Sequence, residues 1–358
     1  MTDIFTQPRR RPDRRTRVSL KVEDWPLDDQ TRWRNAFAEG DIFEAGKGAH
    51  LAPSTKRAWE NEYGTWLGFL KRSDTDALDE PLNARVTRER IIDHCEVLAQ
   101  TNSVLSISGR LEKLRHALRL LSPETDWAWL LVINKRISAK AVPRPKGPRY
   151  QDIVKLDMLG YKLMDDAWRR LIEQQPITLN TALAFRDGLL IAITAATLLR
   201  RRNLAQMTLD QHLVQIGDRW CVSFQGSETK NKQALYVPLP IELNQYIDLY
   251  LSSVRRSFPR ADQHQALWPS AKGGALRGGA IYDLICARTK AAFGRATNPH
   301  MFRDAAATSI SVRTPENAQA AADLLGHKGL RHTQKHYIRA GGVEAARLLA
   351  RALRKRAC

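Results

Sequence analysis

Between Arg136 and Arg149 the chain reads Arg-Ile-Ser-Ala-Lys-Ala-Val-Pro-Arg-Pro-Lys-Gly-Pro-Arg, three prolines and five cations with little to bury. Each proline removes a backbone donor and biases the residue before it away from helix. The stretch therefore reads as an extended, basic linker over residues 136–150, and it cuts the chain in two. At 358 residues the chain is too long for one ordinary compact domain, and each part is long enough to close its own core. The expected organisation is a basic N-terminal arm over 1–45, a small helical domain over 46–135, the linker, and a larger domain over 151–358.

Apolar periodicity supports this division. Residues 1–45 open with Arg9, Arg10, Arg11, Arg14, Arg15 and Arg17 among prolines and threonines and show no periodic apolar face. Such a segment either touches phosphates or is simply solvated. From Ser54, a candidate N-cap, Trp59, Tyr63, Trp66, Leu67 and Leu70 recur at helical spacing. A second helix is predicted from about Thr87 to Gln100. In a third, Ile107, Leu111, Leu114, Leu118 and Leu121 share one face while Arg110, Lys113, Arg115 and Arg119 occupy others, and Ser122-Pro123 ends it. Beyond the linker, helices are predicted near Asp157–Gln174 and Asn180–Leu199. Two β-prone runs, Trp220–Phe224 and Ala234–Pro238, then flank the polar segment Gly226–Lys232 as a hairpin with a lysine-bearing tip. From Pro240 onward the pattern is again helical. The predicted fold is mainly α with a small β-sheet.

Composition bears on partners. A formal charge of +19 and a pI near 10.1 make a polyanion the first partner to test, and nucleic acid is favoured over an anionic membrane. The longest apolar stretch, around Gly188–Leu199, is too short and interrupted to span a bilayer, so no transmembrane helix is expected. The N-terminus has no apolar core or small-residue cleavage site after its basic residues, so the expected location is the cytoplasm, at the nucleoid when DNA is bound. Cys95, Cys221, Cys286 and Cys358 are far apart with no CxxC pair, which fits reduced thiols and gives no cysteine metal site.

Four separated elements combine into a chemical pattern: Thr197-Leu-Leu-Arg-Arg-Arg-Asn-Leu204, the hairpin tip with Lys230, His300-Met-Phe-Arg303, and Leu325-Gly-His327 followed ten residues later by Tyr337. In order and chemistry the chain, from about Ser54 to the C-terminus, resembles the tyrosine recombinase (phage integrase) family. The resemblance implies a helical, SAM-like core-binding domain followed by an α+β catalytic domain. It also implies that Arg200 matches the family's first arginine, Lys230 the hairpin lysine, His300 and Arg303 the HxxR pair, His327 the histidine-or-tryptophan position and Tyr337 the nucleophile. Which of Arg200, Arg201 and Arg202 is catalytic rests on that alignment. The family usually has Glu or Asp three residues after the first arginine, where this chain has Asn203, and the His327-to-Tyr337 spacing is one residue longer than the commonest pattern.

The chemistry is consistent with these residue types. A phosphodiester under attack gathers negative charge on its non-bridging oxygens, which fixed cations stabilise. Arginine's planar fork grips two oxygens at once. A phenol needs its proton removed or its anion stabilised, with His300 the candidate base or phosphate ligand. A 5′ alkoxide leaving group gains roughly two to four orders of magnitude from a positioned acid, here Lys230. The resemblance implies a 3′-phosphotyrosyl intermediate with no cofactor, metal or ATP, double-stranded DNA as substrate, and a tetramer formed as a dimer on each of two sites. A terminal helix carrying Val343, Leu348, Leu349 and Leu353 docks either on a neighbouring protomer or on its own domain. Arg110, Lys113, Arg115, Arg119, Lys146 and Arg149 are the expected DNA-backbone contacts. Two alternatives stay open: a type IB topoisomerase-like or hairpin-forming strand transferase, and a catalytically silent DNA-binding protein.

Overall fold

The computed structural model describes residues 19–41, 44–141, 151–173, 177–230 and 232–313. The chain divides into two compact units, Met1–Arg144 and Pro145–Cys358.

The described part of the first unit is helical: α1 (Leu27–Ala36), α2 (Pro53–Ser73), a single turn α3 (Leu82–Arg85), α4 (Arg88–Ala99), α5 (Val104–Leu121) and α6 (Ala128–Ala139). α4 begins where the sequence predicts, with the Thr87 side chain accepting from the Arg90 N–H, and Ser103 caps α5 in the same way through Ser106. The apolar face predicted for α5 is buried along its whole length, from Ile107 to Leu121. α2 starts one residue before Ser54. Ala52 holds the cap position and Pro53 the first turn, where a missing N–H costs nothing.

Two predicted boundaries move. The arm drawn over 1–45 cuts through the core, because Trp25 and Trp33 are buried in one cluster with Tyr63 and Trp66. The Leu20 N–H donates to the Gly64 carbonyl at 2.9 Å, an approach so close that a Cβ at Gly64 would sit 2.2 Å from the Leu20 oxygen. Buried Asp29 on α1 accepts from Tyr63 Oη at 2.7 Å and from Arg85 at 2.5 Å. At the other end α6 runs through Arg136 to Ala139 with Ile137 buried, so the linker cannot begin at 136. Arginine-rich composition on one side and prolines on the other hid these helical ends.

The second unit orders α7 (Ile153–Glu173), α8 (Leu179–Thr197), α9 (Arg201–Gln206), β1 (Leu213–Ile216), β2 (Arg219–Phe224), β3 (Leu235–Pro238), α10 (Asn244–Leu249), α11 (Gly278–Phe293) and α12 (Pro299–Arg313). The sheet is antiparallel in the order β1-β2-β3, with Leu213 opposite Val222, Phe224 opposite Leu235, and Cys221 opposite Pro238. The β2–β3 hairpin is the one predicted, and β1 adds a strand that was not. The fold class is therefore mainly α with a small sheet.

α8 is the central helix. By length and composition it could cross a membrane, yet 78% of that span is buried inside the unit, and its apolar faces are covered by protein. It meets α7 where both lack side chains: a Cβ on Gly188 would lie 2.7 Å from the Gly160 carbonyl oxygen. Asp187, also buried on α8, accepts from Arg186 at 2.6 Å and from Arg288 on α11 at 2.7 Å, while Arg186 donates to the Pro269 carbonyl. α8 thereby holds both α11 and the chain around Pro269, and its C-terminal end is a fixed platform for the turn into α9.

Candidate active site

α8 stops at Leu198, which adopts a left-handed conformation (φ 53°, ψ 31°) that turns the chain sharply. A leucine pays for that backbone with strain, unlike glycine. The turn frees the Leu198 carbonyl from the helix, and Arg303 of α12 donates to it through Nη1 at 2.6 Å. Arg200 comes next as the residue that opens α9, its carbonyl accepting from the Leu204 N–H. The predicted first arginine and the HxxR arginine are thus brought together by one turn.

Their electrostatics are unusual. Burial, and after it the neighbouring Arg200 charge, lowers the Arg303 pKa to about 10, with Asp304 acting in the opposite direction. Arg200 is half-buried, and among the described residues its guanidinium has neither a hydrogen bond nor an ion pair. Two like charges are thus held at one turn, close enough for Arg200 to lower the Arg303 pKa.

His300 lies one helical turn before Arg303 on α12, as HxxR requires. The first turn of that helix is fixed by Asn298, whose Oδ1 accepts from the His300 and Met301 N–H groups at 3.0 and 3.1 Å. The chain just before it is pinned to α11, where the Thr297 N–H donates to Thr289 Oγ1 at 2.9 Å, and Phe302 anchors α12 in the core. The imidazole of His300 is exposed and, among the described residues, unengaged.

Lys230 is exposed at the hairpin tip, its ammonium likewise without a partner among the described residues. The tip itself is heavily braced. Thr229 Oγ1 donates to the Gln233 carbonyl at 2.7 Å and accepts from its N–H at 3.1 Å, so Lys230 sits inside a closed loop. A Cβ on Gly226 would be 2.8 Å from the Lys232 carbonyl, and glycine is what allows the two sides of the tip to close. The connection from the tip to the arginine turn runs through Asn203 on α9, which is buried and donates from Nδ2 to the Glu228 carbonyl at 3.3 Å. An acid at position 203 would have no hydrogen to offer that carbonyl. The Glu228 carboxylate in turn receives His212. Neither Glu228 nor His212 stands out in the sequence.

The first unit carries the four described members of the predicted DNA-contact set. Lys113 and Arg119 are exposed. Arg110 is committed to buried Glu62 at 2.8 Å and Arg115 to Glu112 at 2.6 Å, so these two are less available than their spacing suggested. Arg115 and Arg119 line an open cavity of about 660 Å³ with Lys47, His50 and Trp59. Lys146, Arg149, His327, Tyr337 and the expected terminal helix lie outside the described residues. Among the described residues no three His, Cys, Asp or Glu side chains gather as a metal site would require.

The chain belongs to the phage integrase family of tyrosine site-specific recombinases: the family model matches residues 163–341, a span that takes in positions 200, 230, 300, 303, 327 and 337. No curated protein matches the chain. Among solved structures it is similar to XerH site-specific recombinase bound to its difH substrate in a pre-cleavage complex, at 15% identity and TM-score 0.39, covering 83% of this chain and 94% of that one. It is also similar to XerA recombinase, at 16% identity and TM-score 0.36 over 87% and 96% of the two chains. The integrase from mycobacterium phage Brujita is 15% identical with TM-score 0.36 over 94% and 99%.

Proposed function

We propose that this recombinase breaks and rejoins duplex DNA in the cytoplasm through a covalent 3′-phosphotyrosyl intermediate on Tyr337, with neither metal nor ATP. The observation that carries the reading is the Arg200–Arg303 turn, where burial first and the neighbouring Arg200 charge second lower the proton affinity of the Arg303 guanidinium. Such a pair is complementary to the dianionic character of a phosphodiester at its transition state, when each non-bridging oxygen gains charge. Tyr337 Oη attacks phosphorus, its proton passing to a base for which His300 is the candidate. The P–O5′ bond breaks and Lys230 supplies the proton to the departing oxygen. The phosphotyrosyl ester keeps the bond energy, so a 5′ hydroxyl from another strand can reverse the step and regenerate the phenol. Strand exchange between two sites, each bound by a dimer, accounts for a tetramer as the working unit.

The test is adduct formation in EDTA on nicked duplexes containing a site selected by the protein's own specific binding. Wild-type protein should give an SDS-resistant protein–DNA species mapping to the Tyr337 peptide, and Tyr337→Phe should bind equally and give none. An adduct in the Phe variant would remove Tyr337 from its role. Specific binding with no adduct from the wild type would leave a silent DNA-binding protein.

A further inference from the structure

Behind the Lys230 hairpin lies a buried relay that takes no direct part in the cleavage chemistry. His212, 3% exposed, stands between α9 and β1 with its ring against Phe224 at 4.4 Å between centroids. Its Nδ1 accepts from the Thr208 N–H at 3.1 Å, which fixes the tautomer, so Nε2 carries the proton and donates to Glu228 Oε1 at 2.9 Å. The second Glu228 oxygen accepts from the Gln225 N–H at 2.8 Å, and the Glu228 carbonyl accepts from Asn203. Each of these Glu228 oxygens is therefore assigned to a different segment: the end of β2, the start of β1, and α9 next to Arg200. Lys230 is two residues further along the same chain.

We propose that His212 and Glu228 are positioning residues that hold the Lys230 hairpin in register with the Arg200 turn. A buried imidazole clamped at both nitrogens cannot itself reach substrate, and a glutamate whose two oxygens are both occupied is not a free base. What the pair sets is where the hairpin base stands relative to α9. A general acid contributes only when its proton lies within hydrogen-bond reach of the leaving oxygen, and a displacement near 1 Å can cost on the order of a hundredfold. The inference rests on the recombinase reading, in which Lys230 protonates the 5′ oxygen.

A sulfur-for-oxygen substitution at the leaving group tests it. With a 5′-bridging phosphorothiolate, Tyr337 Oη still forms its bond to phosphorus, but the P–S bond breaks to a thiolate, a far weaker base than an alkoxide that leaves without a proton. Single-turnover adduct formation is measured on matched oxygen and sulfur duplexes for wild type, Lys230→Ala, Glu228→Gln, His212→Asn and His212→Gln. Asn reproduces the Nδ1 acceptor and loses the reach to Glu228, whereas Gln places an N–H near the Nε2 position. The expected result is a loss of roughly tenfold or more on the oxygen substrate for His212→Asn and Glu228→Gln, restoration on the sulfur substrate, and partial rescue by His212→Gln. Equal losses on both substrates would mean general damage to the fold, and no loss would mean the relay is idle; either overturns the proposal. If wild-type protein forms no adduct on either substrate, the recombinase reading itself has failed. If Lys230→Ala shows no sulfur rescue, the failure lies in the acid assignment.

Discussion

At Arg303, position and charge are in tension. Its pKa is lowered because the guanidinium is partly buried and faces Arg200, so the folded chain gives up that proton more readily than the unfolded chain does. Between about pH 10 and the ordinary guanidinium range, the unfolded state holds a proton that the folded state has lost, and the penalty lifts as pH rises through that window. Below it both states are charged and the fold bears the whole cost, which is the condition at neutral pH. Removing the Arg200 side chain, whose guanidinium makes no hydrogen bond or ion pair among the described residues, eases the repulsion and breaks no polar contact there. Arg200→Ala should therefore melt no lower than wild type, while single-turnover adduct formation falls by roughly 10²–10³-fold, the scale seen when one preorganised charge donor is deleted. Calorimetry alongside the cleavage assay checks it, and a marked drop in melting temperature would show that Arg200 is structural. Arg303→Lys should lose activity on the same scale, since an ammonium cannot both bond the Leu198 carbonyl and present a planar fork to phosphate.

Elements place these residues, and the tightest join between elements is α7 against α8 at Gly160 and Gly188. A methyl at 188 would meet the Gly160 carbonyl at 2.7 Å and the Leu163 and Met164 side chains at 2.9 Å each. Because the carbonyl is backbone, the helices must part, and overpacking of that kind costs about 1–3 kcal/mol. Gly188→Ala should lower the midpoint of chemical unfolding accordingly, with the cleavage rate of the folded fraction little changed; an unaltered midpoint would mean that the two helices can part without loss. At this scale the sequence is partly legible. Helices α4, α5 and α7 follow from period, because one apolar face of each is spent on the core, α8 follows from its long apolar run, which is buried on all sides, and the β2–β3 hairpin follows from two β-prone runs around a polar tip. β1 escapes prediction although Ile216-Gly217-Asp218-Arg219, a short turn between β-prone residues, is its signal. α1 escapes because its buried residues, Trp33 and Asp29 among them, are scattered among charges, and Asp29 finds its partners Tyr63 and Arg85 34 and 56 positions away in sequence. For the same reason the site residues Arg200, Lys230, His300 and Arg303 can be named from the family resemblance, while Asn203, His212 and Glu228 gain their roles only from contacts between segments. No local pattern encodes those contacts.

For the whole molecule the governing quantity is charge. A formal +19 spread over 358 residues leaves far more cation than the described ion pairs consume, and Lys113, Arg119, Arg200 and Lys230 all present heads that form no ion pair among the described residues. Duplex DNA carries condensed counterions, and each phosphate met by a Lys or Arg releases close to one of them, so the logarithm of affinity falls linearly with the logarithm of salt by about 0.9 per contact. A site that engages both units of the chain should involve on the order of 6–10 phosphates and lose about 10³–10⁵ in affinity between roughly 50 and 200 mM salt. Fluorescence anisotropy across a salt series gives the slope directly. Lys113→Ala and Arg119→Ala should each reduce it by about one and weaken specific and non-specific duplexes alike, as phosphate contacts do. Arg110→Ala and Arg115→Ala should change it less, because their charges are already answered by Glu62 and Glu112. If the slope were unmoved by Lys113→Ala and Arg119→Ala together, the exposed side of α5 would not face DNA, and the excess charge would have to be engaged elsewhere on the chain.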